Sequence, residues 1–343
     1  MNDIIQQDCE KIISRINISA LRNKRILVTG GTGFIGRYLV NLIYLANQTK
    51  NFNCRLTAVG SRVPPRDLKK LGGKNINFIK KDLSRPFRIV GKFDYIIHAA
   101  CYGQPAKFIE KPLETIFLNT KATETLLEIA KSSKAKFVFI SSADIYGDIP
   151  FGMKSVPETF GGNRSTTGPR AIYGESKRLG ETICWVYRER YGVDAKIVRA
   201  SHLYGPGISI NDKRVLGDFL RGALSDGVIK LKDEGKAIKT FGYIADAIEM
   251  MMFVAIRGKD MIYNIGGISS VSIKELAKIV AKEVEVGVLI PRLESRAKHI
   301  GSDPKMIRLN LSKIKKEMRG FSFTSINRGI GRMVKWNREE FNL

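Results

Sequence analysis

No stretch of this 343-residue chain approaches the roughly 18 consecutive apolar residues that a membrane-spanning helix needs. The opening residues, MNDIIQQDCEKIISRI, carry acids early and have no long apolar centre, so they do not read as a secretory leader. Ile5, Cys9, Ile12, Ile13 and Ile16 instead recur at the spacing of one helix face. A soluble, cytoplasmic protein is the expectation. Cysteine is scarce: the four at Cys9, Cys54, Cys101 and Cys184 have no metal-like or redox-like spacing, which argues for reduced, packed thiols and no metal site. Acidic residues are outnumbered, 33 Asp and Glu against 58 Lys and Arg, for a net charge of +25. That balance suits nucleic acid, a diphosphate-bearing small molecule or merely a solvated surface. The basic residues are spread along the chain with no basic tail, so nucleic acid is not the expected partner. No low-complexity linker divides the chain, and its parts are expected to pack around one cleft.

What is present is an alternation of short β-rich runs and helical stretches. Arg25–Val28, Arg55–Val59, Ile76–Ile79, Tyr95–Ile97 and Lys136–Ile140 read as strands, and Leu113–Lys131 and Ile172–Glu189 as helices. This predicts an α/β fold, a Rossmann-type doubly wound parallel sheet with a smaller C-terminal substrate-binding lobe. The boundaries follow the patterning. Residues 1–23 form an N-terminal helical extension, 24–198 with about 239–264 form the dinucleotide-binding domain, and about 199–238 with 265–343 form the lobe.

Residues 25–36, RILVTGGTGFIG, run an apolar strand into Gly30, Gly33 and Gly36, with a helix pattern following. Glycines there allow a tight turn and let backbone amides at a helix N-terminus approach a pyrophosphate. The helix pattern begins at Arg37, and Phe34 and Ile35, between Gly33 and Gly36, are further candidate cofactor contacts. The second strand ends in Val59-Gly60-Ser61-Arg62, without the acid that binds the ribose 2′-hydroxyl of NAD. Ser61 and Arg62 suit a 2′-phosphate instead, so the expected cofactor is NAD(P), with NADP favoured over NAD. Ala99 and Ala100, closing the fourth strand, are small enough for a cofactor to lie close. Cys101 follows them and either lines the site or packs.

Taken in order, GGTGFIG, IIHAA, SSADIYG, YGESK and RASHLYGPG resemble the extended short-chain dehydrogenases/reductases, over roughly Lys24 to Lys313. Within that group the chain most resembles UDP-glucuronate decarboxylases and nucleotide-sugar 4,6-dehydratases, through GPRAIYGESKR and GISINDKRV. The resemblance implies further cofactor contacts at Asp82, Leu83 and Asn119. It implies a catalytic set of Ser142, Tyr173 and Lys177, with Tyr173 as general base toward the sugar 4-hydroxyl. Tyr173 and Lys177 share a helix face four residues apart, and a nearby ammonium favours phenolate, so Lys177 is expected to lower the Tyr173 pKa. Asp144 stands where the dehydratases and decarboxylases carry an acid and the 4-epimerases mostly do not. It either assists at sugar C5–C6 or serves as a structural carboxylate. Arg170, His202, Arg214, Lys239 and Arg308 are the candidate substrate residues, Lys239 standing where the family usually has Arg.

The expected substrate is a nucleotide-diphosphate sugar, oxidised at C4 and then decarboxylated or dehydrated, by a homodimeric enzyme. A nucleotide-sugar 4-epimerase and a non-catalytic NAD(P)-binding regulatory protein are the alternatives. The intact Ser142, Tyr173 and Lys177 argue against the last.

Overall fold

The computed structural model describes residues 3–291 and 308–342. Twelve strands are described: β1 (Arg25–Thr29), β2 (Arg55–Gly60), β3 (Ile76–Lys80), β4 (Tyr95–His98), β5 (Lys136–Ser142), β6 (Ala195–Ala200), β7 (His202–Tyr204), β8 (Val228–Lys230), β9 (Ile238–Tyr243), β10 (Ile262–Ile265), β11 (Ser269–Ser272) and β12 (Gly287–Leu289). The helices are α1 (Asp3–Arg15), α2 (Phe34–Lys50), α3 (Arg66–Lys69), α4 (Pro105–Glu110), α5 (Pro112–Asn119), α6 (Lys121–Ser133), α7 (Ala171–Tyr191), α8 (Val215–Leu224), α9 (Ile244–Arg257), α10 (Ile273–Val284), α11 (Ser312–Glu317) and α12 (Ile326–Phe341).

Seven strands pair in parallel in the order β10-β6-β5-β4-β1-β2-β3. Side chains of β1 alternate between two cores: Ile26 and Val28 enter one, Leu27 the other. A strand covered on both faces reads as an unbroken apolar run, which is why RILV carries no polar alternation. Each such side chain, once fully buried, contributes about 1.5–3 kcal/mol. The strand order reverses at β1, flanked by β2 and β4, and in such sheets ligands bind in a crevice beyond the carboxyl ends of the strands at that point.

The remaining strands form two small sheets, β11-β9-β7 and β12-β8. β9 therefore lies apart from the seven-stranded sheet, whereas α9 and β10, which follow it, return to that sheet. The stretch Leu113–Lys131, read from sequence as one helix, is two. Thr120 breaks it at φ −119°, ψ −78°, between α5 and α6. α1 buries Ile4, Ile5, Cys9 and Ile12 against α2 and α9. Its Asp8 accepts hydrogen bonds from Tyr38 (2.9 Å), Tyr243 (2.7 Å) and Arg332 (2.9 Å), tying the first helix to α2, β9 and α12. Among the described residues, no helix is long and apolar enough to cross a membrane, no cluster of metal-ligating side chains occurs, and all four cysteines are free.

Candidate active site

The crevice begins with the glycines after β1. Gly30 adopts φ +71°, and a Cβ on it would lie 2.8 Å from the backbone of Ala99 and Ala100. Only glycine meets both demands, the left-handed backbone and the close approach of the β4 end. Gly36 is tighter still: its Cβ would lie 2.1 Å from the Gly30 carbonyl oxygen. Gly33, at φ −88°, is the N-cap of α2 and supplies no side-chain hydrogen bond to the first turn. The amides of that turn, which begins at Phe34 and Ile35, thus meet an open cradle suited to an anion. This cradle, which a β-carbon would fill, fits a dinucleotide pyrophosphate.

His98 fixes the junction of β4 with the cradle. Its Nε2–H donates to the Leu118 carbonyl (2.9 Å), so Nδ1 accepts from the Thr29 hydroxyl (2.7 Å). Burial, with Lys177 nearby, pushes the imidazole down to about 3, so it stays neutral. Thr29 Oγ1 in turn accepts from the Ala100 amide at 3.3 Å. Ser61 and Arg62 lie exposed just past β2. Leu83 is buried, and Asp82 turns back to accept from the Ser84 amide (2.9 Å) and hydroxyl (2.7 Å). Asn119, at the end of α5, is fully buried and donates to Ser176 Oγ (2.9 Å), while its Oδ1 has no protein partner among the described residues.

Ser142 ends β5 and Asp144 sits in the 3₁₀ turn that follows, Ala143–Tyr146. Ser142 Oγ accepts from the Asp144 amide at 3.1 Å and hydrogen-bonds Tyr173, which lies on the first turn of α7. The Tyr173 ring stacks on Phe108 of α4, 5.3 Å between centroids. Lys177, one turn later, is buried, donates to the Ile140 carbonyl at 2.7 Å and lies over the Phe139 ring at 4.6 Å. These contacts bring Ser142, Asp144, Tyr173 and Lys177 together at the end of β5.

The electrostatics differ from the sequence expectation at one point. Burial raises the Tyr173 phenol, and the neighbouring Cys101 and Asp144 raise it further, while the Ser142 hydrogen bond and Arg214 lower it. The anticipated lowering by Lys177 does not set the balance. Its ammonium is committed to the Ile140 carbonyl, and burial lowers its own pKa. Desolvation outweighs charge here because a buried phenolate loses its hydration. Cys101, half-buried, lies close enough to act on both Tyr173 and Lys177, so it lines this site.

The candidate substrate residues fall into separate groups. Arg214, N-cap of α8, holds Asp212 through Nη2 (2.7 Å) and Nε (3.0 Å), and Gln104, just before α4, donates to the same carboxylate at 3.0 Å. This cluster joins the start of α8 to the β4–α4 connection, within electrostatic reach of Tyr173. Arg170 is the N-cap of α7 and, with Arg164, borders a shallow recess of about 160 Å³. His202 is exposed on β7, 6.1 Å from the Phe241 ring, and Lys239 is buried on the neighbouring β9. Arg308 is exposed, and its carbonyl accepts from the Val156 amide at 2.8 Å.

Two groups escaped the sequence reading. Arg164 lies in a loop with no motif, yet donates from Nη2 to Asp144 Oδ1 (2.8 Å) and from Nε to the Asp144 carbonyl (2.7 Å). Behind the site, Arg199 on β6 pairs with Glu181 on α7 at 2.7 Å and donates to Tyr146 Oη (3.0 Å), clamping α7 to the sheet. Gly174, an unfavourable residue inside a helix, was the available hint for Arg164.

The family model for the NAD dependent epimerase/dehydratase family matches residues 26–266. UDP-glucuronic acid decarboxylase 6 of Arabidopsis thaliana is 30% identical over 294 residues, 85% of this chain and 82% of that protein. UDP-glucuronic acid decarboxylase 1 of Xenopus tropicalis is 27% identical over 326 residues, 94% and 74% of the two chains. Among solved structures, a double mutant of the dTDP-glucose 4,6-dehydratase from Streptomyces venezuelae, with NAD bound, superposes with TM-score 0.76 at 25% identity, covering 93% of this chain and 98% of that one.

Proposed function

This chain is an enzyme of the NAD dependent epimerase/dehydratase family, and from that premise we propose that it decarboxylates a nucleoside-diphosphate uronate of the UDP-glucuronate type. The observation that carries the reading is the Ser142–Asp144–Tyr173 cluster at the end of β5, an acid joined through one hydroxyl to the candidate base. The likeness to the Arabidopsis decarboxylase over most of both chains supports it.

Tyr173 takes the proton of the sugar 4-hydroxyl, and Ser142 holds the same hydroxyl in place. NAD(P), when bound, would supply a reversible hydride acceptor for C4, which leaves the net reaction redox-neutral, and a positive ring charge that would oppose the burial of Tyr173. The cradle of Gly30, Gly33, Phe34, Ile35 and Gly36 would hold its pyrophosphate, and Asp82, Leu83, Ala99, Ala100, Asn119 and Lys177 would be its further contacts. A ketone at C4 makes the C6 carboxylate that of a β-keto acid. The C5–C6 bond then breaks, CO2 leaves, and the electron pair passes into the enolate of the ketone. C5 takes up one proton from solvent water, and Tyr173 returns its own to the C4 oxygen. Asp144 orients the C5–C6 end of the sugar. Arg170 and Arg214 hold the diphosphate, and His202, Lys239 and Arg308 complete the lobe's side of the cleft. The exposed Ser61-Arg62 pair, with no acid at the strand end, favours the 2′-phosphate of NADP.

The active form is a homodimer. Leu113 and Ile116 on α5 and Leu179 and Trp185 on α7 are exposed on two adjacent helices, an apolar face that a second copy would cover. Trp185→Glu should give a monomer in sedimentation velocity.

Incubation with a panel of UDP-, dTDP-, GDP- and CDP-sugars, read by mass spectrometry, tests the reaction. Loss of the mass of CO2 from a uronate supports it. Loss of water from a neutral hexose makes the enzyme a dehydratase, and an unchanged mass with altered sugar couplings in NMR makes it a 4-epimerase.

A further inference from the structure

Arg164 is brought to the site by backbone. Asn163 donates its amide to the Tyr146 carbonyl (2.8 Å) and accepts at its own carbonyl from the Asp148 amide (3.0 Å), which pins the loop against the turn carrying Asp144. The Arg164 side chain is 7% exposed, and its partner Asp144 17%. Two donors grip one residue: Nε takes the Asp144 carbonyl and Nη2 the carboxylate. The guanidinium reaches them by crossing the first turn of α7 at Gly174. A Cβ there would lie 2.4 Å from Arg164 Cδ and 2.7 Å from its Nε. The helix residue next to Tyr173 is thus small where the arginine passes.

We propose that Arg164 is a positioning residue for the second step: it holds Asp144 ionised and oriented beside Ser142 and Tyr173, and so sets the pH below which turnover fails. The physical reason is that protonating Asp144 breaks a charge-assisted pair that is largely removed from water. Two further effects follow from the same contact. The carbonyl bond fixes the turn, so the carboxylate is presented in one place rather than several. The guanidinium charge also offsets that of Asp144 where an anionic C6 carboxylate must approach. Groups that face Asp144 include the Arg164 guanidinium, the Ser142 hydroxyl and the Tyr173 phenol, and Cys101 and Arg214 act on that same phenol.

This inference rests on the proposed role of Asp144, and the test separates the two. In full-length enzyme loaded with cofactor and turning over its sugar nucleotide, kcat is measured against pH for the parent, Arg164→Met, Arg164→Lys, Gly174→Ala and Asp144→Asn. Removing an adjacent cation raises a carboxylate pKa by about one to three units. The acidic limb of Arg164→Met should therefore move to higher pH by that amount. Mixing with substrate should still reduce the cofactor at close to the parent rate, because Tyr173 and Ser142 are intact. Arg164→Lys should lie between the two. Gly174→Ala, which displaces the guanidinium by sterics while favouring the helix, should reproduce the shift with arginine present, and it keeps the test open should Arg164→Met fail to fold. Arg164→Met in an Asp144→Asn background should add nothing. An unmoved acidic limb in Arg164→Met and Gly174→Ala, with Asp144→Asn impaired, overturns this inference alone. Asp144→Asn turning over like the parent overturns the role of Asp144 and this inference with it.

Discussion

Replacing Gly33 with valine separates the two tasks of the glycine cradle. A Cβ on Gly33 would meet one atom within 4 Å, the Gly30 carbonyl oxygen at 3.1 Å, and φ there is −88°, which any L-residue adopts. Valine is a poorer helix cap than glycine, at a cost of about 1 kcal/mol, so the variant should fold. Its methyls would instead occupy the space into which the first amides of α2 open. A pyrophosphate kept from two of those amides loses two charge-assisted bonds of about 1.5–3 kcal/mol each. Together that is about 3–6 kcal/mol, or roughly 10²- to 10⁴-fold in Kd. Gly36→Val is the contrasting change. Its Cβ would lie 2.1 Å from the Gly30 oxygen and 2.6 Å from the Gly31 Cα, backbone that cannot step aside, so it should damage folding itself. Titration calorimetry with NAD and NADP gives the affinities. Thermal unfolding gives the second readout: at about 100 times Kd, cofactor adds about 2.7 kcal/mol to the parent and should add nothing to Gly33→Val. A folded Gly33→Val with parental affinity, or a Gly36→Val that folds and binds as well as the parent, would refute this account of the cradle.

Three other expectations are independent of it. Tyr173→Phe should show no cofactor reduction on mixing with substrate, since general acid–base groups contribute about 10²- to 10⁴-fold; a parental burst of reduced-nicotinamide absorbance would remove Tyr173 from the C4 step. Arg62→Ala should weaken NADP more than NAD, by about 1.5–3 kcal/mol, and equal parental affinities for the two cofactors would rule out the 2′-phosphate contact. Burial raises the Glu249 carboxyl from 4.5 to about 7 against the opposing charge of Arg15. The folded state then keeps a proton that the unfolded chain has lost, so this contribution is full below pH 4.5 and disappears as pH rises through about 7. Urea midpoints should fall across that window in the parent and change less in Glu249→Gln; matching slopes would show that Glu249 does not titrate there.

The sequence by itself determined the sheet and the cradle, because both are local statements. An apolar strand running into Gly30, Gly33 and Gly36 and then a helix has few other physical uses, and YxxxK places Tyr173 and Lys177 on one helix face by period alone. It also located Ser142 and Asp144 at a strand end, from the SSADIYG run. Tertiary structure alone decided what surrounds them. Arg164 meets Asp144 only because the 147–163 backbone contact folds one loop onto another. Arg199 and Glu181 meet only because β6 lies beside α7. The Tyr173 phenol is governed by burial and by Cys101, Asp144, Ser142 and Arg214, which arrive from three separate segments. Period-based reasoning supplied Lys177 as its partner, yet a shared helix face says nothing of what else occupies the space. The Ile140 carbonyl took that ammonium. Spacing along a chain encodes which residues share an element. Desolvation and the pairing of charges depend on every element that packs against them, and those are set only when the chain has folded.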